Sequence, residues 1–169
     1  METSAKGLRV LVTAGAAGIG FAIAKTFAEH GARVHICDVD DQALGAAKKA
    51  LPGVTQTRAD VASRDDVERL FKDAQRPLGG LDVLVNNAGI AGPTAKVEGD
   101  RVERVIEAKS KGLGIGNDEM RRRLLESVSL RTMVSSQDVA NTALFLATDA
   151  GRHISGQSIS VCGGVRYMV

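Results

Sequence analysis

Between Leu8 and Val85 the hydrophobic pattern switches four times between a short apolar run and a helical stripe or cap signal. No other feature restricts the fold so much. Leu8-Arg9-Val10-Leu11-Val12-Thr13 is the β-branched run of a strand buried on both faces. From Ile19 the period changes, with Ala22, Ile23, Phe27 and Ala28 at helical spacing and Gly31 as the stop. Arg33 to Cys37 is a second strand, ending at Asp38. Asp40 or Asp41 caps a helix to about Ala50, broken by Pro52-Gly53. Val54 to Arg58 is a third strand. Ser63-Arg64-Asp65-Asp66 has the capping pattern of a helix carrying Val67, Leu70, Phe71 and Ala74, and Leu81 to Val85 is a fourth strand. Such alternation predicts βαβ units and a parallel sheet with helices on both faces, an α/β fold.

Regular alternation stops at Val85. Arg101 to Lys111 is helical in pattern, and Gly112-Leu113-Gly114-Ile115-Gly116 interrupts it. Asn117 is the expected cap of a helix from Asp118 to about Val128. Ser135 or Ser136 caps a third, with Val139, Ala140, Ala143, Leu144 and Ala147 as an apolar stripe and Gly151 as the stop. A last strand is expected at Ser158 to Val161.

Composition removes several function classes. The 169 residues carry 22 basic and 20 acidic side chains, with no basic run or aromatic-basic interleaving, which argues against a nucleic-acid partner. No apolar stretch approaches the roughly 18 residues of a membrane helix. The apolar run after Lys6 is too short for a signal peptide, so no membrane association and a cytoplasmic location are expected. Cys37 and Cys162 are read as small buried hydrophobes rather than a disulfide framework. His30, His35 and His153 lack metal-ligand spacing, so no metal site is assigned.

The first turn is the candidate site. Backbone N–H groups at a helix start are unpaired and lie at its positive end, and glycines there let a pyrophosphate approach closely. Gly15, Gly18 and Gly20 sit between a strand and a helix. Asp38 ends the next strand, near the offset expected for a carboxylate on an adenosine ribose. A carboxylate there repels a 2′-phosphate, which favours NAD over NADP. The plainer reading of Asp38, a helix-capping or turn aspartate, ranks second.

With these residues in place the chain resembles a short-chain dehydrogenase/reductase. Thr13-Ala14-Gly15-Ala16-Ala17-Gly18-Ile19-Gly20 is similar to the family's T-G-x-x-x-G-I-G turn, with Ala14 where the family usually has its first Gly. Asp60-Val61 matches the pair after the third strand, whose Asp lies beside the adenine. Asn86-Asn87-Ala88-Gly89 matches N-N-A-G after the fourth strand, which supports the sheet centre and borders the cofactor. Ser155-Gly156-Gln157 with Val161-Cys162-Gly163-Gly164 resembles S-G-Q…V-D-G-G, with Cys162 in place of Asp. The resemblance implies a Rossmann-like doubly wound sheet and hydride transfer between NAD and an alcohol or carbonyl substrate. The implied cofactor residues are Thr13, Gly15, Gly18, Ile19, Gly20, Asp38, Asp60, Val61, Asn87, Ala88 and Gly89.

The family's chemistry needs a Tyr, a Lys four residues later and an upstream Ser, because a phenol near pKa 10 is a poor base until a nearby cation favours its phenolate. The one tyrosine here is Tyr167, and no Tyr-x-x-x-Lys occurs, so no catalytic residue is assigned. An internal block is missing. Residues from Val97 through Arg131 resemble the family's substrate-loop region after the sixth strand. Glu103 to Gly112 also resembles the helix after N-N-A-G, with Lys109 in place of its Asn; the first reading is preferred. The expected organisation is therefore one truncated Rossmann-like domain of about five strands over residues 1–169. Residues 1–95 form its dinucleotide-binding half and residues 96–169 a remnant of the second half. An oxidoreductase impaired as this chain, or a non-catalytic dinucleotide-binding or interaction module, are the two functional readings. The apolar fourth strand should gain a new neighbour, either the strand at Ser158 to Val161 or a second chain in a homo-oligomer.

Overall fold

A computed structural model describes residues 4–89 and 97–164. The chain divides into two compact units, Met1–Gly89 with Ala140–Gly156 and Ile90–Val139 with Gln157–Val169. The expected boundary between residues 95 and 96 and the tyrosine at 167 lie outside or at the limit of the described residues.

The first unit holds the alternation read from the sequence: β1 (Arg9–Thr13), α1 (Gly18–Glu29), β2 (Arg33–Asp38), α2 (Asp41–Ala50), β3 (Thr55–Arg58), α3 (Arg64–Leu78) and β4 (Val83–Val85). All pairings are parallel and the strand order is β3-β2-β1-β4. Because side chains alternate along a strand, the sheet has two differently packed faces. One face carries Leu11 and Cys37, which cluster with Ala59 and with Leu70, Ala74 and Leu78 of α3. The other carries Val10, Val12, Val34 and Ile36, all buried, with Ile23, Ala24 and Phe27 of α1 buried as well. Each fully buried side chain of this size contributes about 1.5–3 kcal/mol. Burial also pushes the Cys37 thiol above its ordinary pKa.

Local signals place the helix starts. The Asp40 carboxylate accepts from the backbone N–H groups of Gln42 and Ala43, and Ser63 Oγ accepts from that of Asp66. At the amino ends of β1 and β4, the Arg9 guanidinium grips both carboxylate oxygens of Asp82, at 2.8 and 2.6 Å. The same guanidinium fills the space above Gly80, where any Cβ would collide with it.

Two expectations fail at the far side of the sheet. Residues 158–161 form no strand, and among the described residues the sheet has four strands rather than about five. Residues 157–160 are exposed, and Ile159 is 46% accessible: Ile159 and Val161, the two apolar side chains of the segment, bury too little to hold a strand against the sheet. Consequently β4 has no strand partner on its outer side among the described residues. Leu84 is 43% exposed, whereas its register partner Leu11 is fully buried.

In the second unit α4 (Asp100–Leu113) and α5 (Asn117–Glu126) pack against each other through Val102, Ile106 and Met120. The cap position of α5 is Gly116, and Asn117, the expected cap, is the helix's first residue. Its Oδ1 accepts from the buried Ser110 hydroxyl at 2.5 Å, so the amide ties the two helices together instead. A short bridge joins Val97 to Val134. Ser129 and Leu130 donate their backbone N–H groups to Gly164 and Gly163. The last helix, α6 (Ser136–Ala147), starts in the second unit and belongs to the first from Ala140 on; it opens on a capping box in which Ser135 Oγ and the Asp138 carboxylate exchange bonds with each other's backbone N–H. Ala140 and Leu144 of its apolar stripe are buried.

Candidate functional site

The carboxyl ends of the four parallel strands bring together most of the residues singled out above. In an open α/β sheet this is the edge where ligands bind. The chain leaves β1 through Ala14, whose φ of 48° lies in the left-handed region. Gly15 then donates its N–H to the Cys37 carbonyl at 2.9 Å, which brings the turn against β2. A Cβ on Gly15 would stand 2.8 Å from the Ile36 side chain. Gly18 has a φ of 55°. Gly20 is sealed by the turn itself, since a Cβ there would strike the Ala14 carbonyl and lie 2.6 Å from Asn87 Nδ2.

Helix α1 begins at Gly18 after Ala17, with no side-chain cap and no acidic residue in its first turn. The two other nucleotide-half helices carry both a cap and first-turn acids. The positive end of α1 is therefore the one left without internal compensation in this unit.

Asp38 sits beside that end with two commitments. Its Oδ2 accepts from the Ala16 N–H at 3.3 Å, and its Oδ1 accepts from the N–H groups of Val39 and Asp40 at 2.8 and 3.2 Å. The carboxylate thus steadies the glycine turn as well as its own loop, so the turn-aspartate reading is part of its role. Ala59 N–H bonds to the Asp38 carbonyl and leads into Asp60. The Asp60 carboxylate accepts from Ala62 N–H at 2.9 Å, and its own N–H is held by Asp66 Oδ2 at 2.8 Å. Asp66, which the sequence reading used only as part of a capping pattern, is thus what fixes the Asp60–Val61 loop. The Arg69 guanidinium and the Asp60 N–H hold its carboxyl below the usual range, the backbone bond being the larger cause.

The N-N-A-G segment lies against the turn. Thr13 Oγ1 accepts from the N–H groups of Asn87 and Ala88, each at 3.0 Å. Asn87 Nδ2 donates to the carbonyls of Thr13 and Ala14 at 3.0 and 3.1 Å. Both amide protons are spent there, so Asn87 supports the turn and has none left to donate to a ligand. Gly89 is exposed. Between β4 and α3 an open cavity of about 350 Å³ is lined by Leu11, Val61, Leu70, Phe71, Leu84 and Asn86, among others. Thr13 and Ala88, singled out in the sequence like Val61, also line it.

The described residues contain no group of three or more His, Cys, Asp or Glu placed to hold a metal ion. No described helix is long and apolar enough to cross a membrane.

Residues 9–129 match the family described as short chain dehydrogenase. The chain belongs to the short-chain dehydrogenase family. Residues 105–166 also match a model described as Enoyl-(Acyl carrier protein) reductase. Among relatives, the sex determination protein tasselseed-2 of Zea mays is 41% identical over 119 residues, 65% of this chain and 35% of that protein. A mitochondrial borneol dehydrogenase of Lavandula x intermedia is 33% identical over 143 residues, 82% of this chain and 54% of that one. Glucose 1-dehydrogenase of Gluconobacter oxydans is 34% identical over 140 residues, 79% and 53% of the two chains. This short-chain dehydrogenase chain spans about a third to a half of the length of these relatives. In fold it is similar to L-sorbose reductase from Gluconobacter frateurii, solved with NADPH and L-sorbose, with a TM-score of 0.86, 16% identity and full coverage of both chains. The hydroxysteroid dehydrogenase of Escherichia coli gives a TM-score of 0.79 at 23% identity, covering 97% of this chain and 98% of that one. These two likenesses establish the Rossmann-like fold.

Proposed function

We propose that this chain supplies the dinucleotide-binding half of an NAD(P)-dependent short-chain dehydrogenase, and that it favours NAD over NADP. The observation that carries the proposal is the uncapped start of α1 beside the Gly15–Gly20 turn, with the Asp38 carboxylate at its edge. The residues fit a dinucleotide. Gly15 and Gly20 let the turn close against Ile36 and on the Ala14 carbonyl, where a Cβ has no room. The amides of Gly18, Ile19 and Gly20 would face the pyrophosphate, and Asp38 the adenosine ribose. Asp60 and Val61 would border the adenine and Ala88 and Gly89 the rest of the cofactor, while Thr13 and Asn87 hold the turn. When bound, the nicotinamide would supply the hydride-transferring carbon. A small-molecule alcohol or carbonyl substrate and a cytoplasmic location belong to the same reading.

The 169 residues contain no Tyr-x-x-x-Lys. General acid–base transfer of the kind that pair performs is worth about 10²–10⁴-fold in rate. The chain is therefore proposed to bind nucleotide without turning over alcohols, which makes a non-catalytic nucleotide-binding module the second reading. Calorimetric titration with NAD, NADP and ADP-ribose tests both. NAD should bind more tightly than NADP, and Asp38→Ala should shrink that difference while weakening both. NADP binding more tightly than NAD overturns the reading of Asp38. Steady NADH production by the purified chain with an alcohol overturns the non-catalytic reading.

A further inference from the structure

Arg58 ends β3 as the register partner of Asp38, so the two side chains leave neighbouring strands at the carboxyl edge of the sheet. Paired strands lie about 4.8 Å apart, and partners in register share a face. The backbone of this corner is fixed. The Ala59 N–H donates to the Asp38 carbonyl at 3.0 Å, and Arg69 Nη1 donates to the Arg58 carbonyl at 2.9 Å. The Arg58 guanidinium is held more loosely. Its Nε lies 3.2 Å from Asp41 Oδ2 in the first turn of α2, and the two side chains are 62% and 74% exposed. An ion pair this exposed is weak, and salt screens it further.

The acids around Arg58 do not depend on it. Asp41 follows the Asp40 cap at the positive end of α2, which favours an anion there by itself. Asp38 is committed to the N–H groups of Ala16, Val39 and Asp40. Arg58 is therefore a cation available at the rim of the candidate ribose position. A guanidinium is planar, permanently charged and able to give a phosphate two parallel hydrogen bonds. The ribose hydroxyl that Asp38 would accept from is the one that carries the extra phosphate of NADP. Asp38 and Arg58 thus bear on the same ribose oxygen with opposite signs.

We propose that Arg58 is a second nucleotide-discriminating residue, the group that would meet the 2′-phosphate of NADP, and that Asp41 withholds it by ion pairing, a role that rests on the nucleotide reading above. NADP then finds a cation one strand away from the carboxylate that repels it, and the preference for NAD is a matter of degree. Freeing Arg58 from Asp41 narrows the preference, and removing Arg58 widens it. NAD offers Arg58 no phosphate at this position and is indifferent to both changes.

Calorimetric titration of the 169-residue chain with NAD and NADP at low salt tests this. Arg58→Gln should weaken NADP by about two- to fivefold, the size of an exposed ion pair, and leave NAD unchanged. Equal effects on the two nucleotides, or none on NADP, overturn the role of Arg58. Asp41→Asn should tighten NADP by a similar factor. In an Arg58→Gln background that gain should fall by more than half; an undiminished gain means that the Asp41 charge acts on the phosphate through space and withholds nothing. The ³¹P resonance of the bound 2′-phosphate reports the contact itself. Its titration should lie at higher pH in Arg58→Gln than in the native chain, because a guanidinium favours the dianion. An unmoved titration overturns the contact. A native chain that binds neither nucleotide overturns the Gly15–Gly20 turn as a nucleotide site and the role of Arg58 with it. One that binds NAD but shows no Arg58 effect on NADP overturns the role of Arg58 alone.

Discussion

Asn87 Nδ2 donates to the carbonyl of Ala14 at 3.1 Å, and Ala14 is the non-glycine residue that holds a left-handed backbone at the head of the glycine turn. The side chain at the end of β4 thus restrains the strained residue at the end of β1. Removing it leaves two carbonyls without their donor. Asn87→Ala should cost about 1–3 kcal/mol, the range for stripping partners from partly buried polar groups. Urea unfolding measures the loss, and nucleotide affinity should fall with it. An unchanged midpoint would show that the turn keeps its geometry without the amide.

Ala14→Gly should act in the opposite direction. A left-handed alanine costs roughly 1–2 kcal/mol that glycine does not. Part of that gain is offset by the greater freedom of glycine in the unfolded chain. The net expectation is a small rise in Tm with the nucleotide site preserved. Gly20→Ala is the contrasting case, because its Cβ has no room against the Ala14 carbonyl. Overpacking of this kind costs about 1–3 kcal/mol, and here it also displaces the turn, so nucleotide binding should be lost. A Gly20→Ala chain that binds NAD normally would falsify the assignment of this turn.

Acid should weaken the fold in two separable stages. Burial on folding lowers the His35 pKa to about 4, so the unfolded chain takes up that proton first. The contribution of neutral His35 is intact above the ordinary imidazole value of about 6.5 and falls as pH drops from there towards 4. The loss comes to about 3 kcal/mol. Arg9 holds the Asp82 carboxyl down to about 2, so the Arg9–Asp82 contribution is present above the ordinary carboxylate range and disappears as pH falls through about 2. Unfolding midpoints measured at intervals between pH 7 and 2 should show both stages. His35→Leu should abolish the first while leaving the second. A single loss confined to the carboxylate range in the native chain would contradict the His35 assignment.

The uncovered side of β4 should make the chain self-associate. Among the described residues the outer edge of β4 has no strand partner, Leu84 on it is 43% exposed, and Val83–Val85 carries no charge or proline to discourage pairing. Sedimentation at rising concentration should show growth in mass, and Leu84→Lys should suppress it. A native chain that stays monomeric throughout would show that this edge is inert.

Helix and strand in the first half were legible because their signals are local. The alternation of period, the caps at Asp40 and Ser63, and the stop at Gly31 act within a few residues, and each lies where the pattern put it. The glycine turn was legible for the same reason: a tight turn entering a helix needs residues without Cβ, and the sequence shows them. Long-range choices were not. Residues 158–161 read as a strand by residue type, but a strand exists only where a neighbour completes its ladder, and none of the described residues supplies one. Asn117 had the chemistry of a cap and became instead the partner of Ser110, a choice made by the approach of α4 to α5. Asp66 took hold of Asp60, Asn87 of Ala14, and His35 met Thr55 and Thr57 only because parallel pairing set β2 beside β3 in one register. The sequence by itself determined the elements of the first half, the family and the residues available to the site. The tertiary structure decided which polar groups are spent on one another and which apolar surfaces stay uncovered, because hydrogen-bond partners and burial depend on what the folded chain brings within a few ångströms.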